Sequence, residues 1–310
     1  MTATRPPVVA AADWGTSNMR VWLLDAVGEV LAERRSDDGM ARAQETGFGS
    51  ILETHLTAMG APAELPVVVC GMAGARQGWT EAGYLSLPAR IADFARGAVR
   101  APGIGRDVRI LPGLAQASPP DVMRGEETQI AGAAERLRKG RHLLCLPGTH
   151  SKWVEVGNGA VTAFSTAMTG ELFQLMSAQS ILRHSIGASP AQPSPDDTVF
   201  GAWLDLALQQ PQRLGSLLFR IRASSLLDDM PPGDAAAALS GLLIGTEIAA
   251  ARAEGDDRRK IVLVASGALG ALYEAALGLA GHAVERIDAE AAVRTGLFAA
   301  ARRLFPGGSA

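Results

Sequence analysis

Short apolar runs, each closed by a glycine or a polar turn, punctuate the chain and predict its strands. Val8 to Ala12 leads into Asp13-Trp14-Gly15-Thr16-Ser17-Asn18, and the run resumes as Val21 to Leu24, which reads as strand, tight turn, strand. Glu29 to Arg35 continues as a charged strand, Gly49 to Met59 has helical spacing, and Pro66 to Gly71 is a buried strand ending in glycine. Val108 to Leu111 is a short strand, followed by a Pro-rich loop from Pro112 to Pro120 and a helix over Val122 to Ala134. Arg141 to Leu146 repeats the opening pattern: an apolar strand, the turn Pro147-Gly148-Thr149-His150-Ser151, and a second strand from Lys152 to Val156. Gly157-Asn158-Gly159 suits a hairpin turn before a third strand, Val161 to Ser165. Thr169 is the expected cap of the helix that follows, and Ser189 to Asp197 reads as an exposed loop. Further helices run to Leu227, a break spans Asp228 to Asp234, and a helix covers Ala235 to Ala253. Lys260 to Gly270 reads as strand, turn, helix, and a final helix from Ala289 to Phe305 is stopped by Pro306 and two glycines.

Two strand–turn–strand units with hydroxyl residues at the bend suggest duplicated halves facing one ligand. A length of 310 residues agrees, since one core rarely grows so large. The expected division is 1–125 and 126–310, with the last helix, 289–305, able to return to the first half. The 47% hydrophobic content with 5% aromatics suits an Ala/Gly-rich α/β enzyme, and a net charge of −3 gives no basic surface for nucleic acid. Cys70 and Cys145 lie in apolar runs and read as buried thiols. The richest apolar stretch is interrupted by Ser240, Gly241, Thr246 and Glu247, so it reads as a packed helix and not a membrane span. No secretory signal is visible, and the expected compartment is the cytoplasm.

The candidate chemistry sits at the turns. Gly15 lets backbone N–H groups approach oxygens, Thr16 and Ser17 add hydroxyls, and Asp13 could hold a hydrated Mg²⁺; the same pattern also occurs in plain hairpins. Gly71 to Trp79 is a glycine-rich loop at a strand's carboxyl end, where open α/β sheets bind ligands; an ordinary surface loop is the alternative. Ser266 and Gly267 would let a base and ribose lie on backbone, or would form a plain strand-to-helix turn. Glu126 and Glu127 open a helix, where acids also suit the macrodipole.

Taken together, Asp13 to Asn18 with Arg20 and Trp22, Cys70 to Trp79, Arg124 to Gly132, Leu146 to Val154 and Met168 to Leu172 resemble one family over nearly the whole chain. The chain resembles the 2-dehydro-3-deoxygalactonokinases of the acetate kinase/hexokinase/actin superfamily. The resemblance implies an α/β fold of two ribonuclease-H-like domains, with ATP and a sugar acid in the cleft between them. It implies a first phosphate segment at Asp13 to Asn18, a second at Gly148 to Lys152, and an adenosine segment at Ser266 to Gly270. Where the wider superfamily carries an Asp on its second phosphate strand, Leu146 and Pro147 stand here, which leaves Asp13 as the metal candidate.

On this resemblance, Gly15, Thr16, Ser17, Asn18, Gly148, Thr149, His150, Ser151 and Lys152 would hold ATP phosphates, and Ser266, Gly267 and Gly270 the adenosine. Glu127, or its neighbour Glu126, would accept the proton of the acceptor hydroxyl. Arg76 would fork onto the sugar-acid carboxylate and Trp79 stack on the sugar, with Gln77, Met72, Thr169 and Glu171 as further substrate contacts. The expected reaction is transfer of the ATP γ-phosphate to the terminal 6-hydroxyl of 2-dehydro-3-deoxy-D-galactonate, with Mg²⁺. The alternatives are a kinase for another acceptor, such as 2-keto-3-deoxygluconate or an amino sugar, and a non-catalytic ATP-binding regulator. The expected partners are the sugar acid and ATP, without nucleic acid or membrane; a homodimer is one assembly the sequence permits.

Overall fold

The computed structural model describes residues 5–188, 193–253 and 260–306. The chain divides into two compact units: Met1–Arg141, Val156–Ala163 and Ala289–Ala310 form unit 1, and His142–Glu155 with Phe164–Asp288 form unit 2. The principal boundary therefore falls at 141/142 and not at 125/126, because the helix that follows residue 125 packs into unit 1.

Unit 1 opens with β1 (Val9–Trp14), β2 (Met19–Leu24) and β3 (Val30–Ser36), then α1 (Met40–Thr46), α2 (Phe48–Ala58) and β4 (Val67–Gly71). Next come β5 (Tyr84–Ser86), β6 (Ala89–Arg90), β7 (Val99–Arg100), β8 (Val108–Ile110), β9 (Gly113–Ala117) and β10 (Pro120–Met123). Two helices, α3 (Glu126–Gly132) and α4 (Ala134–Leu137), close this stretch. The larger sheet has the order β3-β2-β1-β4-β8-β7, with β1 antiparallel to β2 and parallel to β4. Alternate residues of β1 and β4 face opposite sides. Ala10, Ala12, Val67 and Val69 meet Ile51, Leu52 and Leu56 of α2, while Ala11, Val68 and Cys70 meet Val293, Leu297 and Ala301 of the C-terminal helix. Both faces are covered, which is why these strands read as unbroken apolar runs.

The chain continues with β11 (Arg141–Leu146), β12 (Ser151–Gly157) and β13 (Ala160–Ala167), of which the hairpin residues Val156–Ala163 belong to unit 1, then α5 (Thr169–Ala178), α6 (Arg183–Ile186), α7 (Thr198–Gln209), α8 (Leu214–Leu227) and α9 (Pro232–Ala253) of unit 2. Unit 2 ends with β14 (Ile261–Val264), α10 (Gly267–Leu279) and β15 (Val284–Ile287), after which α11 (Ala289–Leu304) belongs to unit 1. The strands run β15-β14-β11-β12-β13, the same order as β8-β4-β1-β2-β3 in unit 1. The hairpin between β12 and β13 turns at Asn158 and Gly159, both at positive φ (48° and 75°), as the short hairpin turn demands.

Helix α9 is long and apolar enough to cross a membrane by length and composition, yet 72% of its apolar window is buried within the protein. A Cβ on Gly241 would strike Phe200, and one on Gly245 would lie 2.7 Å from the Leu204 carbonyl, so its two glycines admit α7 at backbone distance. Asp197 caps α7, its carboxylate accepting from the N–H groups of Val199 (2.9 Å) and Phe200 (3.0 Å).

The stretch from Pro112 to Pro120 is not a loop. Gly113–Ala117 forms β9 beside β5, and Pro120 begins β10, the position at which a strand tolerates a missing N–H. The helix expected over Val122 to Ala134 starts only at Glu126: Val122 and Met123 finish β10, and Gly125 turns the chain at φ +110°. Thr169 does not cap α5; Met168 holds that position, and the Thr169 hydroxyl is spent on Glu247. Helix α9 begins at Pro232, inside the expected break. Ser189 to Gln192 of the expected loop, and Gly307 and Gly308 beyond Pro306, lie outside the described residues.

Candidate functional site

In unit 1 the carboxyl ends of β1 and β4 and the start of α3 converge. Strand pairing sets Asp13 beside Cys70 and Trp14 beside Gly71. Gly71 has φ +86°, and a Cβ there would lie 2.5 Å from the Trp14 carbonyl, so this approach requires glycine. A Cβ on Gly125 would lie 3.7 Å from the Gly71 Cα, so the start of α3 sits against the end of β4.

Two carboxylates share the ground around Cys70. The thiol donates to Asp13 Oδ1 at 3.6 Å, and both Asp13 and Glu127 help hold the thiol protonated, after the dominant effect of burial. Burial raises the Asp13 carboxyl above the usual range, with Arg20, its partner across the hairpin, pulling it back down. Glu127 is 1% exposed. Its Oε2 accepts from the Gly125 N–H at 2.7 Å and its Oε1 from the Thr128 hydroxyl at 3.0 Å. Burial first, and the neighbouring Glu126 second, push Glu127 up to about 8. Glu126, half-buried, accepts from the Arg124 N–H at 3.1 Å instead.

The β1–β2 turn is closed by Gly15 donating to the Asn18 carbonyl at 2.8 Å and tied to α1 by Met40 donating to Gly15 at 3.0 Å. Thr16, Ser17 and Asn18 stand exposed on it. In the loop after β4, Met72 is half-buried in a single helical turn, while Arg76 and Gln77 are exposed. Arg76 makes no ion pair among the described residues. Trp79 is stacked on Phe48, with centroids 5.9 Å apart, stands edge-on to Trp14, and donates to the Pro102 carbonyl at 3.1 Å.

In unit 2, Gly148 and Thr149 border a largely apolar cavity of about 410 Å³ together with Gly170, Ser240, Leu269 and Leu272. A Cβ on Gly170 would come within 2.5 Å of the Gly148 carbonyl, so the first turn of α5 lies directly against the bend between β11 and β12. His150 and Glu171 pair at 2.5 Å. Ser151, fully buried, shares a hydrogen bond with the Tyr273 hydroxyl at 3.1 Å, and Lys152 is buried as well. Glu247 gathers the elements beneath the bend: its carboxylate accepts from Thr169, from Tyr273 at 2.8 Å and from Trp153 at 2.9 Å, and burial raises its pKa. Ser266 donates to Asp288 at 2.7 Å, and the Arg286 guanidinium covers Gly270 and donates to the Gly267 carbonyl at 3.1 Å.

Three features escaped the sequence reading. Arg124 lies over the Tyr84 ring at 4.4 Å and donates to the Ala82 carbonyl at 2.7 Å, while its Nε and Nη1 are buried without a partner among the described residues. A Cβ on Gly74 would lie 2.8 Å from that Nη1, so this second cation underlies the same loop as Arg76. Glu247 is visible in the sequence only as an acid breaking an apolar helix, and Arg286 carries no signal of its own.

A family model described as 2-keto-3-deoxy-galactonokinase matches residues 13–300, which includes every segment above. The chain belongs to the 2-keto-3-deoxy-galactonokinase family. Consistent with that family, the 2-dehydro-3-deoxygalactonokinase of Escherichia coli (strain K12) is 35% identical over 292 residues, 93% of this chain and 95% of its own. A crystal structure from Sinorhizobium meliloti assigned to the same enzyme is 50% identical, covers 96% of this chain and 99% of its own, and superposes with a TM-score of 0.90. At 14% identity, the ADPNP-bound activator of 2-hydroxyisocaproyl-CoA dehydratase from Clostridium difficile covers 94% of both chains with a TM-score of 0.50, a likeness of fold alone. The chain thus has a mixed α/β fold shared with that activator, and the expectation of a carbohydrate kinase is met.

Proposed function

We propose that this sugar-acid kinase transfers the γ-phosphate of ATP to the terminal 6-hydroxyl of 2-dehydro-3-deoxy-D-galactonate, with Glu127 as the base. The observation that carries the reading is Glu127 itself, a buried carboxylate raised to about 8 and set beside Asp13 around one thiol. A base so tuned takes a proton from a hydroxyl far better than an ordinary carboxylate would, and buried acids with shifted pKa values concentrate at reacting centres. Glu126, half-buried and bonded to the chain at Arg124, is the weaker choice.

The matched strand orders of the two units support duplicated ribonuclease-H-like halves. ATP would lie in the unit 2 cavity, its phosphates against the backbone of Gly148 and Thr149, its adenosine toward the start of α10. The exposed hydroxyls of Thr16 and Ser17 and the N–H groups of their turn would take further phosphate oxygens. Ser151 and Thr169, being buried and bonded to Tyr273 and Glu247, would serve the bend by holding it and not by touching phosphate.

Mg²⁺ suits Asp13. The carboxylate is a hard donor beside an exposed turn, and no cluster of three or more acids, histidines or cysteines is present among the described residues. That matches an ion that keeps most of its waters and binds one or two carboxylates plus phosphate. When bound, it would neutralise charge on the phosphates during transfer.

The substrate carboxylate would be met by Arg76, the exposed cation of the loop after β4. Phosphorus and proton NMR of the product test the reaction: one phosphomonoester on the terminal carbon supports it. A phosphate on any other carbon, or ATP hydrolysis without a phosphorylated acid, contradicts it.

A further inference from the structure

A second cavity, of about 350 Å³, is lined by residues of unit 1 alone; it meets the candidate site at Glu127 and Thr128 and includes no residue of the β1–β2 turn or the loop after β4. Its volume is in the range of small-molecule pockets. Its floor is apolar, formed by Ile91, Phe94, Leu111, Pro112, Ala131 and Ala300, with the exposed Ala299 at its edge. Its rim carries three arginines from three separate elements: Arg90 on β6, Arg138 after α4, and Arg303 in the last turn of α11.

The charges at that rim are not balanced by the protein. Arg138 faces Glu135 at 3.8 Å, but Arg90 and Arg303 make no ion pair among the described residues. The other acid in the lining is Glu127, which burial keeps largely protonated at neutral pH. Two unpaired guanidinium groups match a dianion, and each can fork onto a phosphate. A phosphomonoester carries that charge at pH 7, whereas a carboxylate supplies half of it.

The walls are also fixed. The Ile91 N–H donates to the Gly159 carbonyl at 3.0 Å, which pins the helical turn under the cavity to the β12–β13 hairpin. Helices α3 and α11 cross at backbone contact through Gly132 against Ala292 and Gly296 against Thr128. We propose that this cavity is a binding site for a phosphomonoester with an apolar body, its phosphate between Arg90 and Arg303 and its body on the Phe94–Leu111 floor.

The test is calorimetric titration of the whole protein, with excess ADP present to fill the nucleotide site. The probes are phenyl phosphate, phenylacetate, inorganic phosphate and phenol. Phenyl phosphate should bind at one site at least tenfold more tightly than the other three. The double variant R90Q/R303Q should weaken phenyl phosphate at least tenfold, and A299W, which blocks the cavity from its exposed edge, should abolish binding. Both variants should keep the wild-type melting temperature. Should either variant lose its melting temperature, the probe series on the wild-type protein decides alone. Phenyl phosphate binding no better than inorganic phosphate or phenol, or binding undiminished in folded R90Q/R303Q or A299W, overturns the proposal.

Discussion

Glu127 occupies an environment that a surface carboxylate never meets: buried, beside another acid, held by one backbone N–H and one hydroxyl. Three outcomes follow from it. Glu127→Gln should lower kcat by roughly 10²–10⁴-fold with little change in ATP affinity, as for removal of a general base, checked by steady-state kinetics. In the wild-type protein kcat/KM for the acceptor should rise with pH through about 8, the Glu127 value, and that limb should vanish in the Gln variant. Stability runs the other way. A carboxyl raised on folding stabilises the fold below the unfolded carboxyl range and loses that contribution as pH climbs through about 8, so Glu127→Gln should melt higher than wild type at pH 9. Asp13→Asn keeps shape and loses charge, and should depress turnover severely while leaving the circular dichroism spectrum and melting temperature near wild type. Sequence alone marks Glu126 and Glu127 as a pair at a helix start. It cannot separate them, because the distinction comes from Gly71 and Gly125 drawing only Glu127 into the space beside Cys70.

At the scale of elements, the strand–turn–strand units were legible because period-2 burial on both faces produces apolar runs that glycine and hydroxyl residues must end. The segment from Pro112 to Met123 was not. Its two strands are short and bordered by prolines, β10 pairs with β9, and β9 pairs with β5, a strand of three residues. That misreading also hid Arg124, which the end of β10 delivers beneath the loop after β4. Two cations therefore attend this loop, and they make different predictions. Arg76→Ala should lower kcat/KM for the sugar acid about ten- to a hundredfold, the loss of one charge-assisted hydrogen bond, with the KM for ATP and the melting temperature unchanged. Arg124→Ala should lower the melting temperature, since it empties the space between Tyr84 and Gly74. In unit 2, Gly170→Ala would force α5 away from the Gly148 carbonyl, and should raise the KM for ATP more than that for the sugar acid.

Over the whole molecule, one strand order occurs twice, and the sequence shows why: two apolar strands end at Gly-Thr/Ser bends, one in each unit. The division between units was harder to place, since α3 and α11 join unit 1 through glycine-mediated crossings that no hydrophobic period reveals. One unit holds the raised carboxylate and the exposed Arg76, and the other holds the cavity beneath a glycine bend; under the proposed function these would serve the sugar acid and ATP. The most direct test is coupled ADP release with ATP and Mg²⁺ over 2-dehydro-3-deoxy-D-galactonate, its gluconate epimer, an amino sugar and no acceptor. Release that depends on the galactonate acid, and that Glu127→Gln removes, is the predicted result. Release that is independent of any acceptor, or that prefers another acceptor over the galactonate acid, would contradict the account.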